Sequence, residues 1–210
     1  MSNKDIFDEE DKKLIKAEYE SLINNLQKCK KPGDRELIEK AFNTANEAHW
    51  NMRRKSGEPY IIHPIQVAKI VNQEIGLGAT SVSTALLHDV VEDTDYKLDD
   101  VRRDFGDKIA SLIDGLTKIS NIYSKDSTTS LQAQNFRKMM LTISDDLRVI
   151  LIKIADRLHN MRTLDSLPEY KKMKVAGETI YIYAPLANRL GLYSIKTELE
   201  DLSFKFRQPR

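Results

Sequence analysis

Apolar residues recur three and four positions apart along most of this chain, which is the spacing of one face of an α-helix. The clearest examples run over 14–26, 37–45, 65–71 and 146–164. The period-two alternation that is typical of half-buried strands is rare. The pattern therefore predicts an all-α fold, a single helical domain of roughly eight to ten helices.

Turn-forming residues interrupt the helical pattern in the first third of the chain. KKPGD (30–34) separates the first two helices, with Asp34 as the expected N-cap of the second. NMRRKSGEPYIIHP (51–64) has no helical period and predicts a loop, with at most a short β-hairpin near 54–63. Pro64 suits the first turn of the helix that follows.

The pattern in the rest of the chain is also helical. Helices are predicted around 98–105, 107–122, 131–144 and 146–164. SKDSTTS (124–130) is the most polar stretch, and we expect a mobile loop there. Residues 169–206 predict two more helices, with Pro185 at a kink or break.

Composition narrows the class of protein. The 210 residues carry a formal net charge of +1, which argues against the basic surface that a general nucleic-acid binder needs. The single cysteine, Cys29, excludes an internal disulfide. The acidic start lacks a signal sequence, and the longest apolar run, VILIKIA (149–155), is too short to span a bilayer. We expect a soluble, cytoplasmic protein with no membrane partner and no direct nucleic-acid binding.

The stretch LLHDVVEDT (86–94) places four ionisable side chains beside an aliphatic run. On one helix, residues four apart share a face, so His88 lies beside Glu92 and Asp89 beside Asp93. Three acids held so close would repel one another unless a divalent cation lay among them. Imidazole and carboxylate ligands suit Mn²⁺, Fe²⁺ or Zn²⁺, and the absence of nearby cysteine argues against a structural zinc site.

Further ligands are expected from elsewhere in the chain. His63 ends the GEPYIIHP loop, just before a helix. Asp156 stands in an otherwise apolar helical stretch, where a carboxylate is costly to bury unless it is paired or bound to a metal. Asn160 and Thr163 follow on the same helical face.

Each of these residues also has an ordinary structural interpretation. His63 could be a loop histidine, His88 a satisfied core histidine, and Asp156 an ion-pair partner of Arg157 or Arg162. An isolated His-Asp dipeptide is weak evidence of function. The order His, His-Asp, Asp on helices or helix edges is much harder to attribute to chance.

Longer motifs in the chain resemble one enzyme family. They are RKSGEPYIIHP (54–64), TALLHDVVEDT (84–94), LIKIADRLHNMRTL (151–164) and APLANRLGLYSIKTELEDLSF (184–204). They are similar to the hydrolase half of the RelA/SpoT-homologue alarmone enzymes, within the HD phosphohydrolase superfamily. The resemblance implies an N-terminal helix (1–33), an HD-type hydrolase domain (34–195) and the start of a connection toward a synthetase domain (196–210).

The resemblance also implies the activity and the residues that carry it. Members hydrolyse the 3′-pyrophosphate of (p)ppGpp to GDP or GTP and pyrophosphate, which ends the stringent-response signal. The family's metal, Mn²⁺, would be bound by the residues at matching positions: His63, His88, Asp89 and Asp156. Glu92 and Asp93 match the acidic pair that orients and deprotonates the attacking water.

Substrate contacts are implied on two motifs. Arg54, Lys55 and Ser56 match the loop that packs on the guanine base and its phosphates. Asn160 and Thr163 match positions that contact the sugar and the 3′-phosphates, while Arg157 and His159 are equally suited to bracing their motif. The chain departs from the family's AHxGQ pattern, because His49-Trp50-Asn51-Met52 has asparagine in place of glycine.

Two alternatives to alarmone hydrolysis stay open. The chain could be an HD phosphohydrolase that acts on another nucleotide, or a catalytically silent domain that senses nucleotides. The intact Glu92-Asp93 pair argues against a silent domain, since binding alone needs no base beside the metal. Long family members continue into a synthetase domain in cis, and we expect one in the full-length protein.

Overall fold

The computed structural model of the chain describes residues 7–124 and 146–207. Within those residues the secondary structure is helical, and the one β pairing is an isolated antiparallel bridge between Arg53 and Pro59. The prediction of an all-α fold with at most a short hairpin is therefore confirmed. The predicted helix at 131–144 and the SKDSTTS loop beyond Ser124 lie outside the described residues. Among the described helices, none combines the length and apolar character needed to cross a membrane.

The chain divides into two compact units, Met1–Ile152 and Lys153–Arg210. The first unit contains α1 (Glu9–Asn24), α2 (Asp34–Ala48), α3 (Ile62–Lys69), α4 (Ala79–Leu87), α5 (Val90–Asp93) and α6 (Leu98–Ser124). The next helix, α7 (Leu147–Arg162), begins in the first unit and continues into the second. The second unit adds α8 (Glu169–Glu178), α9 (Ala184–Arg189) and α10 (Tyr193–Arg207).

Helix α4 forms the centre of the first unit. Its sequence, ATSVSTALL, combines small and aliphatic side chains, and the residues from Ala79 to Leu87 are buried except Thr80. Helices α2, α3 and α6 pack against it. Small residues allow this close packing on several sides, and the aliphatic residues supply the apolar area that is removed from water.

A local sequence signal explains the start of α1, whereas the start of α2 differs from its prediction. The Asp8 side chain accepts the Asp11 amide at 2.8 Å, which caps the start of α1. Helix α2 begins at Asp34 with Gly33 as its N-cap, so the expected N-cap was wrong by one residue. The Asp34 carboxylate instead accepts the Lys31 amide of the preceding turn at 3.0 Å.

Pro64 and Gly106 mark a helix start and a helix break where the pattern indicated them. Pro64 is in the first turn of α3, as predicted, and α3 runs on into a wide turn of π type over Ile70–Glu74. Gly106 has φ 84° and ψ 169°, so it breaks α6 between the two predicted helices at 98–105 and 107–122. Positive φ is easily adopted by glycine because it has no Cβ.

The second unit follows the predicted two-part pattern. Helix α8 passes through a wide turn of π type, Thr179–Tyr183, into α9, and Pro185 lies in the first turn of α9. Helix α10 packs against α8 and α9. Its inward face carries Ile195, Leu199 and Phe206, which are buried.

Candidate active site

Three of the four predicted metal ligands meet in the first unit. His63 lies in the first turn of α3, and His88 and Asp89 lie where α4 gives way to α5. The imidazole centroids of His63 and His88 are 5.2 Å apart, and a ring nitrogen of each lies within 4.8 Å of the other. The Asp89 carboxylate is 3.1 Å from His88 Nε2 and 3.7 Å from His63 Nε2. Two imidazoles and one carboxylate therefore converge.

The helix that was expected to carry all of LLHDVVEDT is interrupted. Helix α4 ends at Leu87, His88 and Asp89 form a turn, and α5 begins at Val90. The Asp93 amide still donates to the Asp89 carbonyl at 2.9 Å, so the spacing of four that relates these residues is kept. The interruption lies at the predicted ligands themselves.

The orientation of His88 suits metal binding. Its Nδ1 is 2.7 Å from the Ala85 carbonyl oxygen, which can accept a hydrogen bond but cannot donate one. Nδ1 therefore carries the proton of this bond, and Nε2 is the ring nitrogen that faces Asp89. A backbone carbonyl that fixes the tautomer of a ligating histidine is a common support in metal sites.

The donor set fits a divalent cation. His63 and His88 are each 3% exposed, so their nitrogens are withdrawn from bulk water, while Asp89 is half-buried. Neutral imidazole and carboxylate together are typical ligands of Mn²⁺, Fe²⁺ and Zn²⁺. The site in the first unit thus supports a divalent metal, without distinguishing among these ions.

The predicted acidic pair lies at the end of the short helix α5. Glu92 and Asp93 are exposed, so both carboxylates are open to solvent water. Asp93 Oδ2 is 2.8 Å from the hydroxyl oxygen of Tyr60. The same hydroxyl is 2.8 Å from Oδ2 of Asp89, so one phenol lies between a predicted ligand and a predicted base.

Tyr60 and His49 are the residues that the sequence reasoning did not assign. The His49 ring stacks on the Tyr60 ring, with centroids 4.7 Å apart and an interplanar angle of 16°. Burial, followed by the charges of Asp89 and Asp93, raises the pKa of Tyr60, so its hydroxyl keeps its proton. Burial lowers the pKa of His49, which favours a neutral ring whose Nδ1 donates to the Ala45 carbonyl.

A signal for Tyr60 was available in the sequence. Tyr60 precedes His63 by three residues, and the His63 amide donates to the Tyr60 carbonyl at 3.0 Å. The two side chains therefore leave the same turn. His49 carried no comparable signal, because its contact with Tyr60 depends on how α2 packs.

The predicted substrate loop is a tight turn. The Gly57 amide donates to the Arg54 carbonyl at 2.9 Å, and the Arg54 amide donates to the Glu58 carbonyl at 3.0 Å. Lys55 and Ser56 at the tip are exposed, and Arg54 is half-buried. The loop thus offers cationic and hydroxyl groups to solvent on a defined backbone.

The neighbouring residue Arg53 anchors this loop. Its guanidinium contacts both carboxylate oxygens of Asp11 in α1 and donates to the Gly57 carbonyl at 2.8 Å. Asn51, where the family pattern has glycine, has a φ of 90°. Asparagine is among the residues that most readily adopt positive φ, so the turn keeps its left-handed backbone despite the substitution.

Asp156 lies in the second unit, on the inner part of α7. It is 6% exposed, and its carboxylate accepts from Lys153 Nζ and from Asn160 Nδ2, each at 2.7 Å. Thr163 donates its hydroxyl to the His159 carbonyl at 3.0 Å. The second unit therefore brings Asp156 and Asn160 together, and Lys153 supplies the compensating charge that burial requires.

Arg157 and Arg162 have other acidic partners in the second unit. Arg157 pairs with Glu178 at 3.0 Å and lies over the Tyr183 ring at 4.3 Å. Arg162 pairs with Glu198 at 2.6 Å. The bracing role that was considered for Arg157 is therefore supported by its contacts.

The comparisons with known proteins agree with the motif analysis. A family model described as "HD domain" matches residues 41–193. A Synechocystis sp. protein named "Probable guanosine-3′,5′-bis(diphosphate) 3′-pyrophosphohydrolase" is 51% identical over 173 residues, which are 82% of this chain and 22% of that protein. An Aquifex aeolicus protein with the name "Guanosine-3′,5′-bis(diphosphate) 3′-pyrophosphohydrolase" is 47% identical, over 85% of this chain and 25% of its own length.

Another relative has a different name. The "GTP pyrophosphokinase" of Myxococcus xanthus is 49% identical, and the match covers 84% of this chain and 24% of that protein. The chain thus spans about a quarter of the length of the curated relatives it matches. These relatives confirm the resemblance to the RelA/SpoT-homologue enzymes.

One solved structure is similar in fold. It is described as "A metazoan ortholog of SpoT hydrolyzes ppGpp and plays a role in starvation responses". The TM-score is 0.56 at 25% sequence identity, and the match covers 81% of this chain and 93% of the other.

Proposed function

The chain belongs to the HD-domain family, and on that premise we propose that it hydrolyses the 3′-pyrophosphate of ppGpp and pppGpp. The products are GDP or GTP and pyrophosphate. The observation that carries the proposal is the convergence of His63, His88 and Asp89 beside the exposed pair Glu92-Asp93. The names of the relatives, and the ppGpp hydrolysis described for the protein of similar fold, support the choice of substrate.

The metal that we propose is Mn²⁺, with Asp156 as its fourth protein ligand. Such an ion, when bound, lowers the pKa of a coordinated water and polarises a phosphoryl oxygen. His88 is already held by Ala85 in the tautomer that offers Nε2 as a ligand. Asp89 places its carboxylate between the two imidazoles.

Glu92 and Asp93 act on the attacking water. Their exposure gives them access to solvent, and a carboxylate within hydrogen-bond reach accepts the proton that the water loses. Asp93 is held at one oxygen by Tyr60, so its other oxygen remains for water. Glu92 orients the water from the same helix end.

Substrate recognition combines the loop and α7. Arg54 and Lys55 meet the phosphates through charge-assisted hydrogen bonds, and the Arg54 guanidinium packs on the guanine plane. Ser56 adds a hydroxyl at the loop tip. Asn160 and Thr163 hold the sugar and the 3′-phosphates.

The chain matches only about a quarter of the length of its longer relatives, which supports a second proposal, about the full-length protein. Because one of those relatives is named a pyrophosphokinase, we propose that the full-length protein carries a synthetase domain in cis. This chain contains no G-x-x-x-x-G-K-[ST] phosphate loop, and we do not expect it to synthesise the alarmone.

The test is a substrate panel on the purified chain. Pyrophosphate release is measured from ppGpp and pppGpp, with GDP, GTP and nucleoside monophosphates as comparisons, in Mn²⁺ and after chelation. We expect turnover of ppGpp in Mn²⁺ and none after chelation, while GDP and GTP are not consumed. Asp89→Asn should abolish release, whereas Asp99→Asn, an exposed acid at the start of α6, should leave it unchanged.

Other outcomes favour the two alternatives. Cleavage of monophosphates with no action on ppGpp would favour an HD phosphohydrolase for another nucleotide. Binding of guanine nucleotide in the presence of metal, with no turnover of any substrate, would favour a silent sensing domain.

A further inference from the structure

Tyr60 lies at the junction of the candidate metal centre and the candidate base. Its backbone is fixed on both sides, because its amide donates to the Met52 carbonyl at 2.9 Å and its carbonyl accepts the His63 amide. The ring leaves the same turn as His63, and the two ring centroids are 6.2 Å apart. The position of the Tyr60 ring is therefore tied to that of a predicted ligand.

The Tyr60 hydroxyl has two carboxylate neighbours. Its oxygen is 2.8 Å from Oδ2 of Asp89 and 2.8 Å from Oδ2 of Asp93. A phenol has one proton to donate, so it bonds one carboxylate fully or shares the proton between both. Both carboxylates therefore lie within hydrogen-bonding distance of the same hydroxyl oxygen, and the hydroxyl can orient either of them.

The Tyr60 ring is supported from behind. His49, at the C-terminal end of α2, is 1% exposed and lies parallel to the phenol ring. Its Nδ1 bond to the Ala45 carbonyl, 2.9 Å long, prevents the imidazole from rotating freely. A ring held by a stack on one face and by two carboxylates at its tip has little freedom to move.

We propose that Tyr60 is a positioning residue for the hydrolysis reaction: its hydroxyl sets the orientation of Asp89 toward the metal and of Asp93 toward the attacking water. This inference rests on the proposed function and adds a residue to it. Tyr60 acts through the two carboxylates and does not itself touch the reacting atoms. Outer hydrogen bonds of this kind typically change metal affinity or activity by about 10–100-fold.

The experiment compares Tyr60→Phe with Tyr96→Phe. Both variants keep the aromatic ring and lose a hydroxyl that is bonded to an aspartate, but the partner of Tyr96 is Asp104, outside the candidate site. Thermal unfolding measures any general loss of stability. Electron paramagnetic resonance of free Mn²⁺ measures the Kd of the metal without nucleotide, and pyrophosphate release gives kcat and KM for ppGpp.

We expect Tyr60→Phe to lower kcat by about 10–100-fold and to weaken Mn²⁺ binding by about 10-fold, with KM within about twofold of wild type. Tyr96→Phe should leave kcat and the Mn²⁺ Kd unchanged. Equal kcat and equal Mn²⁺ Kd in wild type and Tyr60→Phe would overturn the proposal. The proposal would also be overturned if both variants lost kcat in proportion to their loss of thermal stability.

A double variant separates the effect of the Tyr60 hydroxyl on Asp93 from its effect on Asp89. If Tyr60 acts on chemistry through Asp93, then adding Tyr60→Phe to Asp93→Asn should cause no further loss of kcat. The effect of Tyr60→Phe on the Mn²⁺ Kd should persist in that background, because it acts through Asp89. Independent, multiplying losses of kcat would contradict the link through Asp93.

The metal measurement keeps this inference separable from the proposed function. If the wild-type chain bound Mn²⁺ but released no pyrophosphate from ppGpp, the proposed function would fail. A weaker Mn²⁺ Kd in Tyr60→Phe would still support the effect on Asp89, and an unchanged Kd would refute it.

Discussion

Two buried histidines of the first unit are each held by a backbone carbonyl three or four residues earlier. His88 bonds Ala85 and His49 bonds Ala45, in both cases through Nδ1. The Nε2 of His88 faces a carboxylate, whereas that of His49 has no hydrogen-bonding partner among the described residues. The same local hydrogen bond therefore orients a predicted metal ligand at His88 and fixes the ring that supports Tyr60 at His49.

The role of Glu92 is testable by a nearly isosteric change. Glu92→Gln removes the charge that accepts a proton, and we expect kcat to fall by about 10²–10⁴-fold, the usual contribution of a positioned base. Metal content should stay at the wild-type value, since Glu92 is not a proposed ligand. Asp95→Asn, an exposed acid just beyond α5, is the control and should retain full turnover. Undiminished turnover in Glu92→Gln would remove the residue from the mechanism.

A substitution in the substrate loop should change nucleotide affinity. Arg54→Ala should raise the Kd for ppGpp by at least about 10-fold, because one charge-assisted contact is worth roughly 1.5–3 kcal/mol. Metal binding should not change. Arg102→Ala, which removes an exposed arginine in α6, should leave nucleotide affinity within about twofold. Isothermal titration calorimetry measures the Kd for ppGpp, and titration of Mn²⁺ into chelator-treated protein measures the Kd for the metal. Equal ppGpp affinities in Arg54→Ala and Arg102→Ala would contradict the assignment of Arg54 to substrate binding.

At the scale of the helices, close approach and charge pairing connect α6 with the start of α7. A Cβ on Gly115 of α6 would lie 2.9 Å from Val149 Cγ2. Asp146, just before α7, accepts from Lys108 Nζ at 2.7 Å and from the Arg148 amide at 3.0 Å. Position 115 therefore needs a small residue, and position 146 needs a negative charge.

Two helical glycines should respond in opposite directions to alanine. Gly115→Ala forces a methyl group against the buried, β-branched Val149, and such overpacking typically costs about 1–3 kcal/mol. A Cβ on Gly177 of α8 would have no atom of the described residues within 4 Å, apart from its chain neighbours and its own helix backbone. Gly177→Ala should therefore stabilise by roughly 0.5–1 kcal/mol, the usual helix preference of alanine over glycine. Thermal unfolding should show a lower Tm for Gly115→Ala and a higher Tm for Gly177→Ala. Equal shifts in Tm would contradict the close contact between positions 115 and 149.

The Asp146 pairs predict a pH dependence of stability. Its hydrogen bonds with Arg148 and then Lys108 hold the pKa of Asp146 below its usual value. A depressed folded pKa stabilises the fold above the unfolded pKa of about 3.9, and that contribution is lost as the pH falls through the folded pKa. Asp146→Asn keeps a helix-capping side chain but removes the charge. It should destabilise at pH 7 by about 1–3 kcal/mol.

Urea unfolding at a series of pH values measures this contribution. The difference between wild type and Asp146→Asn should be constant from neutral pH down to about 5 and should shrink below about 4. A difference that is independent of pH over the acidic range would assign the effect to packing. Asp99→Asn, whose side chain is 92% exposed, serves as the control for general charge effects.

At the scale of the whole molecule, we propose one metal ion with the ligand set His63, His88, Asp89 and Asp156. The family match over residues 41–193 includes all four positions. A metal bound in this way would stabilise the folded state by preferring it over the unfolded chain.

Asp156 is tested by metal content and stability together. Asp156→Asn preserves volume and keeps one acceptor oxygen for Lys153 or Asn160. We expect it to weaken Mn²⁺ binding by at least about 10-fold, as the loss of a support or ligand does in metal sites. The increase in Tm on adding Mn²⁺ should be smaller than in wild type. Asp165→Asn, an exposed acid of the second unit, is the control. Equal Mn²⁺ stoichiometry and Kd in both variants would remove Asp156 from the ligand set.

The sequence by itself determined the helical class, several helix breaks and the motif from which the ligands are predicted. Helical periodicity, Pro64 and Gly106 act through local backbone geometry, which a few neighbouring residues specify. His88-Asp89 was proposed because several charged groups beside an aliphatic run are costly without a partner, and His63 was proposed from its place at the end of a loop and from the family motif. Such signals need no knowledge of how distant segments pack.

Only the tertiary structure decided how the site is supported. Residues 60, 89 and 93 share one hydroxyl, and residue 49 stacks beneath it, although nothing in their spacing indicates these contacts. The interruption at His88 was likewise hidden, because its backbone angles remain near helical values and the spacing of four persists. Contacts between distant segments arise from the packing of α2 and α3 on α4, and local preferences along the chain do not encode them.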